Sequence, residues 1–124
     1  MPPIYPGSND FRPSFLATSE IYALSPEGRS TLPKNGIRWN TAAISEVLAL
    51  GLYKTMQYST WPIFVDHQDN PIEGLLETEV QYRTYLYPLS ENSFADWMIE
   101  GAEFFFMEGG KRVGQGQIIS KVSP

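Results

Sequence analysis

Apolar and polar side chains alternate along much of this chain, most regularly between Glu77 and Tyr87. There Val80, Tyr82, Thr84 and Leu86 fall on one face, and Gln81, Arg83, Tyr85 and Tyr87 on the other. This is the period-two pattern of a strand with one side in a core, and Pro88 is expected to end it. Ser14–Leu24 predicts another strand, carried by the β-formers Phe15, Ile21 and Tyr22. Ser25-Pro26-Glu27-Gly28 then forms a turn, and Asn35-Gly36 a second turn that leads into Ile37-Arg38-Trp39. Leu52–Tyr58 and Trp61–Val65 are expected as two strands separated by Ser59-Thr60, with a loop over Asp66–Gly74.

The strongest pattern lies at the end of the chain. The apolar run Phe104–Met107 meets Gly109-Gly110, and a second run follows with Val113, Ile118, Ile119 and Val122. Two such runs around a Gly-containing turn predict a β-hairpin. Gly114 and Gly116 interrupt its second strand, which implies a bulge, a barrel bend or the close approach of another backbone. Two stretches depart from the alternation. Over Asn40–Gly51, Ile44, Val47 and Leu48 keep helical spacing, with Asn40 or Thr41 as N-cap and Gly51 past the end. Over Ser93–Gly101 a capping Ser93, Asp96 at N3 and the stripe Phe94, Trp97, Met98 predict one or two helical turns. Residues 1–13, with four Pro and one Gly, are expected as an extended arm before a single β-domain over 14–124. Short strands separated by turns point to an antiparallel barrel or sandwich.

At 124 residues, 42% hydrophobic and 19% charged, the chain has the makings of one ordinary globular core. It contains no apolar run of membrane-spanning length and no Cys, and Met1–Gly7 lacks the basic and apolar regions of a signal peptide. The expected setting is cytoplasmic, with no membrane partner. The net charge of −5 is unevenly placed. Ten acidic residues and one basic residue, Arg83, lie between Asp66 and Glu108. Five of the nine basic residues fall in two stretches: Arg29, Lys34 and Arg38, then Lys111 and Arg112. Brought together, they would put a cationic patch on an acidic body.

Chemistry-bearing motifs are sparse. His67, the one His, has Asp66 and Asp69 nearby but neither a second His nor a calcium-loop pattern, so no metal site is expected. The glycines of Gly109–Gly116 match neither a phosphate loop, since Arg112 follows Lys111, nor a dinucleotide fingerprint, which needs a βαβ unit. No nucleophile elbow is present. The expectation is a protein without catalytic residues, bound nucleotide or other cofactor.

Three blocks resemble a known family in their order along the chain: Glu20–Ser25 with Gly28–Thr31, then Asn35–Arg38, then Phe104–Val122 with Glu108-Gly109-Gly110-Lys111 and Val113-Gly114-Gln115-Gly116. They are similar to the third, C-terminal β-barrel domain of translation elongation factor Tu, with Tyr85–Pro88 matching the strand before its closing hairpin. Together they cover about half the chain, and the last block is the most specific. The resemblance implies a small, six-stranded antiparallel barrel, here with one or two short helical insertions. Trp39-Asn40-Thr41 stands where the family has Pro-Gln-Phe, and Asn40–Gly74 and Leu89–Ala102 are longer than their counterparts. The 124 residues hold no match to the family's GTPase domain, so GTP hydrolysis is not expected to carry over.

In that family the loop matching Arg29–Thr31 and the turn matching Gly109-Gly110 approach the backbone of a tRNA stem. The resemblance therefore implies a non-enzymatic binding module for an RNA stem or a translation-related protein. Its RNA-contacting candidates are Arg29, Ser30, Lys34, Arg38, Gly109, Gly110, Lys111 and Arg112. The alternative is a decoy or immunity-type protein whose acidic face and inserted segments capture a basic partner. Its candidates are Trp61, Asp96, Trp97 and Glu100.

Overall fold

Gly114 and Gly116 face the inside of a closed six-stranded antiparallel barrel, and the barrel closes because these two positions carry no side chain. The computed structural model describes residues 13–51, 54–88 and 96–122. Its strands are β1 (Phe15–Ile21), β2 (Trp39–Ala43), β3 (Tyr58–Val65), β4 (Tyr82–Pro88), β5 (Glu103–Glu108) and β6 (Lys111–Lys121), with one helix, α1 (Ile44–Leu50), after β2. Around the barrel the order is β1-β4-β3-β2-β5-β6, and β6 returns to β1. The expected arm over residues 1–13 lies outside the described residues except for Pro13.

Across the closing hairpin Phe104 pairs with Gly116 and Phe106 with Gly114. A Cβ on Gly116 would sit 2.6 Å from the Phe104 ring and 2.6 Å from the Thr18 carbonyl. One on Gly114 would sit 2.5 Å from the Glu20 carbonyl. The bare positions let two aromatic rings lie on β6 and let the β1 backbone come close, so of the sequence-based alternatives close approach applies at both glycines. A register shift between Phe106 and Met107 adds a bulge in the same hairpin.

The barrel interior follows from the alternation. Phe15, Ala17 and Ile21 of β1, Trp39, Phe64, Leu86, Phe104, Phe106 and Ile118 form one buried cluster. Trp39, Phe64, Phe104 and Phe106 meet edge-on or tilted, with centroids 5.1–6.2 Å apart, as aromatic quadrupoles favour. Two of the buried hydroxyls in this interior satisfy each other, Ser19 Oγ with Thr84 Oγ1 at 2.5 Å. Leu76 from the β3–β4 connection and Met98 from the β4–β5 connection join the same cluster from opposite barrel ends. On the outside, Ile63, Val65, Tyr85 and Tyr87 form a second buried cluster, and α1 lays Val47 against Ala42, Phe105 and Met107 in a third.

Several expected boundaries shift. Asn40–Ala43 is strand, not the first turn of a helix, because it carries ladder bonds to β3 on one side and β5 on the other. Neither Asn40 nor Thr41 caps α1. Asn40 Nδ2 donates to Gln57 Oε1 at 3.1 Å, Thr41 Oγ1 to the Tyr58 carbonyl at 3.3 Å, and Ala43 occupies the cap without a side-chain bond. Gly51 does end the helix, at φ 84° with its N–H on the Val47 carbonyl at 2.9 Å. Of the strand expected over Leu52–Tyr58, Leu52 and Tyr53 lie outside the described residues, Lys54–Gln57 is not strand, and pairing begins at Tyr58, so Ser59-Thr60 lies within β3 rather than between two strands. β4 begins at Tyr82, because Glu79 adopts φ 59° and its N–H bonds the Ile21 carbonyl at 2.7 Å. The helical turns expected over Ser93–Gly101 lie partly outside the described residues, and Asp96–Gly101 forms turns and bends. Asn35 is more than a turn residue. Its side chain bonds Phe64 N (2.8 Å), Phe64 O (2.6 Å) and Ile72 O (3.1 Å), standing in for a strand neighbour beside β3.

Gly116→Ala is expected to destabilise the protein by about 2–4 kcal/mol, because neither a packed ring nor a strand carbonyl retreats cheaply. Gly110→Ala, which meets nothing within 4 Å, is expected to stay within about 0.5 kcal/mol of the parent. Urea unfolding midpoints of the two variants check the contrast.

Candidate nucleic-acid interface

The loop after β1 and the β5–β6 turn meet at one end of the barrel. β1 runs toward this end and β6 away from it, with Ile21 opposite Gly114. Ser25 and Gly28 form a tight turn, the Gly28 N–H donating to Ser25 Oγ at 3.1 Å. That turn lies against the hairpin, since a Cβ on Gly28 would be 3.5 Å from the Arg112 carbonyl. Between them is a cleft of about 350 Å³, lined by Tyr22, Ser25, Glu27, Gly28, Gly110, Lys111 and Arg112.

A part-buried brace holds this end. Arg29 forms an ion pair with Glu108, and the same carboxylate oxygen accepts the Trp39 indole N–H at 2.9 Å. Arg29 also donates to the Thr31 carbonyl (3.0 Å) and hydroxyl (3.3 Å), and its side chain is 17% exposed. Arg29 is therefore a strut that fixes the loop to the hairpin, not a free cation for a ligand. Trp39, which departs from the family pattern, supplies the third member of this brace.

The other expected RNA contacts divide into two groups. Lys111 and Arg112 are exposed, and the Arg112 guanidinium lies 5.1 Å over the Phe105 ring, which orients it without neutralising it. Gly109 and Gly110 are exposed with open space before them, and Gly109 takes the positive φ (62°) that the turn needs. Ser30 is exposed beside Arg29. Arg38 immediately precedes β2 at the same barrel end, 5.5 Å over the Trp61 ring. Lys34 bridges Leu75 of the β3–β4 connection, which emerges at the same barrel end, and does not line the cleft.

The cleft residues Tyr22, Ser25, Glu27 and Gly28 and the brace carboxylate Glu108 were not among the sequence candidates. Gly28 and Glu108 do lie inside the family-like blocks. Burial raises the Tyr22 phenol above its ordinary value, Arg112 opposes that shift, and the protonated hydroxyl donates to Gln115 Oε1 at 2.8 Å. Among the described residues no group of three or more His, Asp and Glu converges as a metal cage.

The candidates for a protein interface are split. Trp61 packs on the outer cluster of β3 and β4 with Ile63 and Tyr87, whereas Asp96, Trp97 and Glu100 lie in the β4–β5 connection. A further polar group, Asp69 with Arg83 and Tyr85, pins the β3–β4 connection to the outside of β4. Asp69 accepts from Arg83 Nε and from the Tyr85 hydroxyl, both at 2.9 Å. No family model and no curated protein matches this chain in sequence.

The hydrogen bond from Arg83 holds the Asp69 carboxyl below its ordinary range, partly opposed by burial and helped by Tyr85. A depressed carboxyl favours the fold at neutral pH, and that contribution is lost as pH falls through its folded value. Asp69→Ala is expected to cost about 1 kcal/mol at pH 7, since Arg83 is half exposed, and to cost progressively less below pH ~4. Chemical denaturation of both proteins across that range checks the convergence.

Proposed function

We propose that this chain is a binding module that holds the phosphate backbone of an RNA stem at the hairpin end of its barrel, as a counterpart of the third domain of elongation factor Tu. The observation that carries the reading is the cleft in which the Ser25–Gly28 turn and the Gly110–Arg112 turn meet. The family resemblance implies RNA contact for the Gly109-Gly110 turn, which borders this cleft, and for Arg29–Thr31, which follows the Ser25–Gly28 turn. The closed six-stranded barrel supports the same relationship.

Phosphate recognition needs cations and an approach path, not a base-reading surface. Lys111 and Arg112 supply charge, Arg38 adds a third cation at the same end, and the bare Gly109-Gly110 turn lets another backbone come near. The Arg29–Glu108–Trp39 brace presets the separation of the two walls, so little order is lost on binding. Glu27, which lines the cleft, opposes an anion and limits affinity. The protein acts by holding its ligand, and no bond-making step is assigned to it.

A short RNA hairpin is expected to bind at low salt, with affinity falling as salt rises. Lys111→Ala with Arg112→Ala is expected to weaken binding about tenfold or more and to lower the slope of log affinity against log salt by about 2. Fluorescence anisotropy over a salt series reads both quantities. Absence of binding at low salt, or an unchanged slope in the double variant, would overturn the proposal.

A further inference from the structure

The wall formed by β1, β4 and β3 buries its outer face as well as its inner one. Register sets Leu16, Tyr85 and Ile63 in one outward row across the three strands, with Tyr87 and Trp61 paired in the next row and Arg83 and Val65 in the one before. Tyr87 is 0% exposed, Val65 2%, Tyr85 3% and Ile63 4%. An outward strand face of a single-layered barrel meets water unless a further layer covers it. The β3–β4 connection covers one corner, where Asp69 accepts from the Tyr85 hydroxyl and Pro71 bridges Val65. Leu16 and Trp61 only flank the cluster within the same face, and Val122 borders it. Tyr87 and Ile63 therefore need a cover that these residues do not supply.

The segment before β1 is the one placed to supply it. Pro13 is buried, and Ser14 donates to the Leu86 carbonyl at 2.9 Å while its own carbonyl accepts from Val122 at 2.8 Å. The chain thus lies against β4, beside Tyr87, before β1 begins. Pro13, Trp61 and Tyr87 each make an interaction besides those given above. Twelve residues reach about 40 Å when extended, whereas the outer row of β4 from Tyr87 to Arg83 needs about 13 Å. Residues 89–95 are tied at both ends, to Pro88 and Asp96, and span at most about 24 Å out and back.

Chemistry points to the same occupant. Residues 1–12 contain Pro2, Pro3 and Pro6 with Ile4, Tyr5 and Phe11. Proline has no N–H, and segments rich in it adopt an extended helix without a hydrogen-bond ladder. The outer face of a paired sheet offers side chains and no free backbone groups, so a segment with few donors to satisfy suits it. Aromatic surfaces are the common seat of such segments, and here Trp61, Tyr85 and Tyr87 provide one.

We infer that residues 1–12 dock in extended form on the outer face of β4 and β3, with Ile4, Tyr5 and Phe11 over Ile63, Tyr85 and Tyr87. The wall is then an interaction surface for a Pro-rich, apolar segment that the chain itself carries, and the docked arm keeps other partners off it. This inference does not rest on the RNA reading, whose residues lie at the hairpin end.

The chain has no Cys, so Ser8→Cys gives a single site for a nitroxide label on the full-length protein. The expected result is loss of amide signal concentrated at Ile63, Tyr85 and Tyr87, with the amide of Phe105, on β5 across the barrel, retained. Tyr5→Ser with Phe11→Ser in the labelled chain is expected to restore most of the lost signal. Loss spread evenly over the barrel, or centred on another wall, overturns the inference, and the singly labelled chain decides this by itself. Unchanged loss in the Tyr5 and Phe11 variant overturns the assignment of those side chains. Equal loss when the nitroxide and the observed nuclei are on different molecules also overturns it, because the arm then docks on a second copy.

Discussion

The structure depends on two strand positions without side chains. Gly114 and Gly116 let the rings of Phe104 and Phe106 lie across β6 and let the β1 backbone pass close to it, and this is where the sheet joins itself. Glycine is a poor strand residue in isolation, since it has no side chain to pack and loses the most backbone freedom. Its cost here is offset by two aromatic rings packed into the interior and by a closed ladder that leaves no barrel edge open. The same closure sets the geometry of the hairpin end, because β1 and β6 deliver the Ser25–Gly28 turn and the Gly110–Arg112 turn side by side.

From that join the rest of the functional architecture follows. The Glu108 carboxylate, at the last residue of β5, meets both Arg29 and the Trp39 indole, so three segments distant in sequence are locked at one point. One cation is consumed in doing this, and Lys111 and Arg112 stay free on the rim of the cleft. At the opposite end α1 and the β4–β5 connection with Trp97 flank a second cleft. Both ends of this small barrel are built by connections rather than strands, as loops on a rigid scaffold commonly are.

Much of the fold was legible because it rests on period-two patterning and turn chemistry. The closing hairpin, the inward row Tyr82, Thr84 and Leu86, and the Gly51 helix end all express local rules. The errors came where tertiary pairing overrode local preference. Asn40–Ala43 has helix-compatible residues but is held by neighbours on both sides. Glu77–Val80 alternates like a strand, yet Glu79 turns to reach the Ile21 carbonyl. The site was legible only in part for the same reason. Clustered cations are visible in a sequence, but which of them is spent on an internal carboxylate depends on a contact between residues 29 and 108. Lys34, close to Arg29 along the chain, bridges Leu75 of the β3–β4 connection, a pairing that no local pattern encodes.

The account turns on whether the glycine-rich hairpin end is a binding surface. Backbone amide chemical shifts of the labelled protein, followed during titration with a short RNA hairpin at low salt, test this most directly. The expected result is progressive shifts concentrated at Gly28, Gly109, Gly110, Lys111 and Arg112, reversed by added salt, with the amides of α1 and Trp97 unmoved. Shifts absent at the hairpin, or confined to the α1 end, would contradict it.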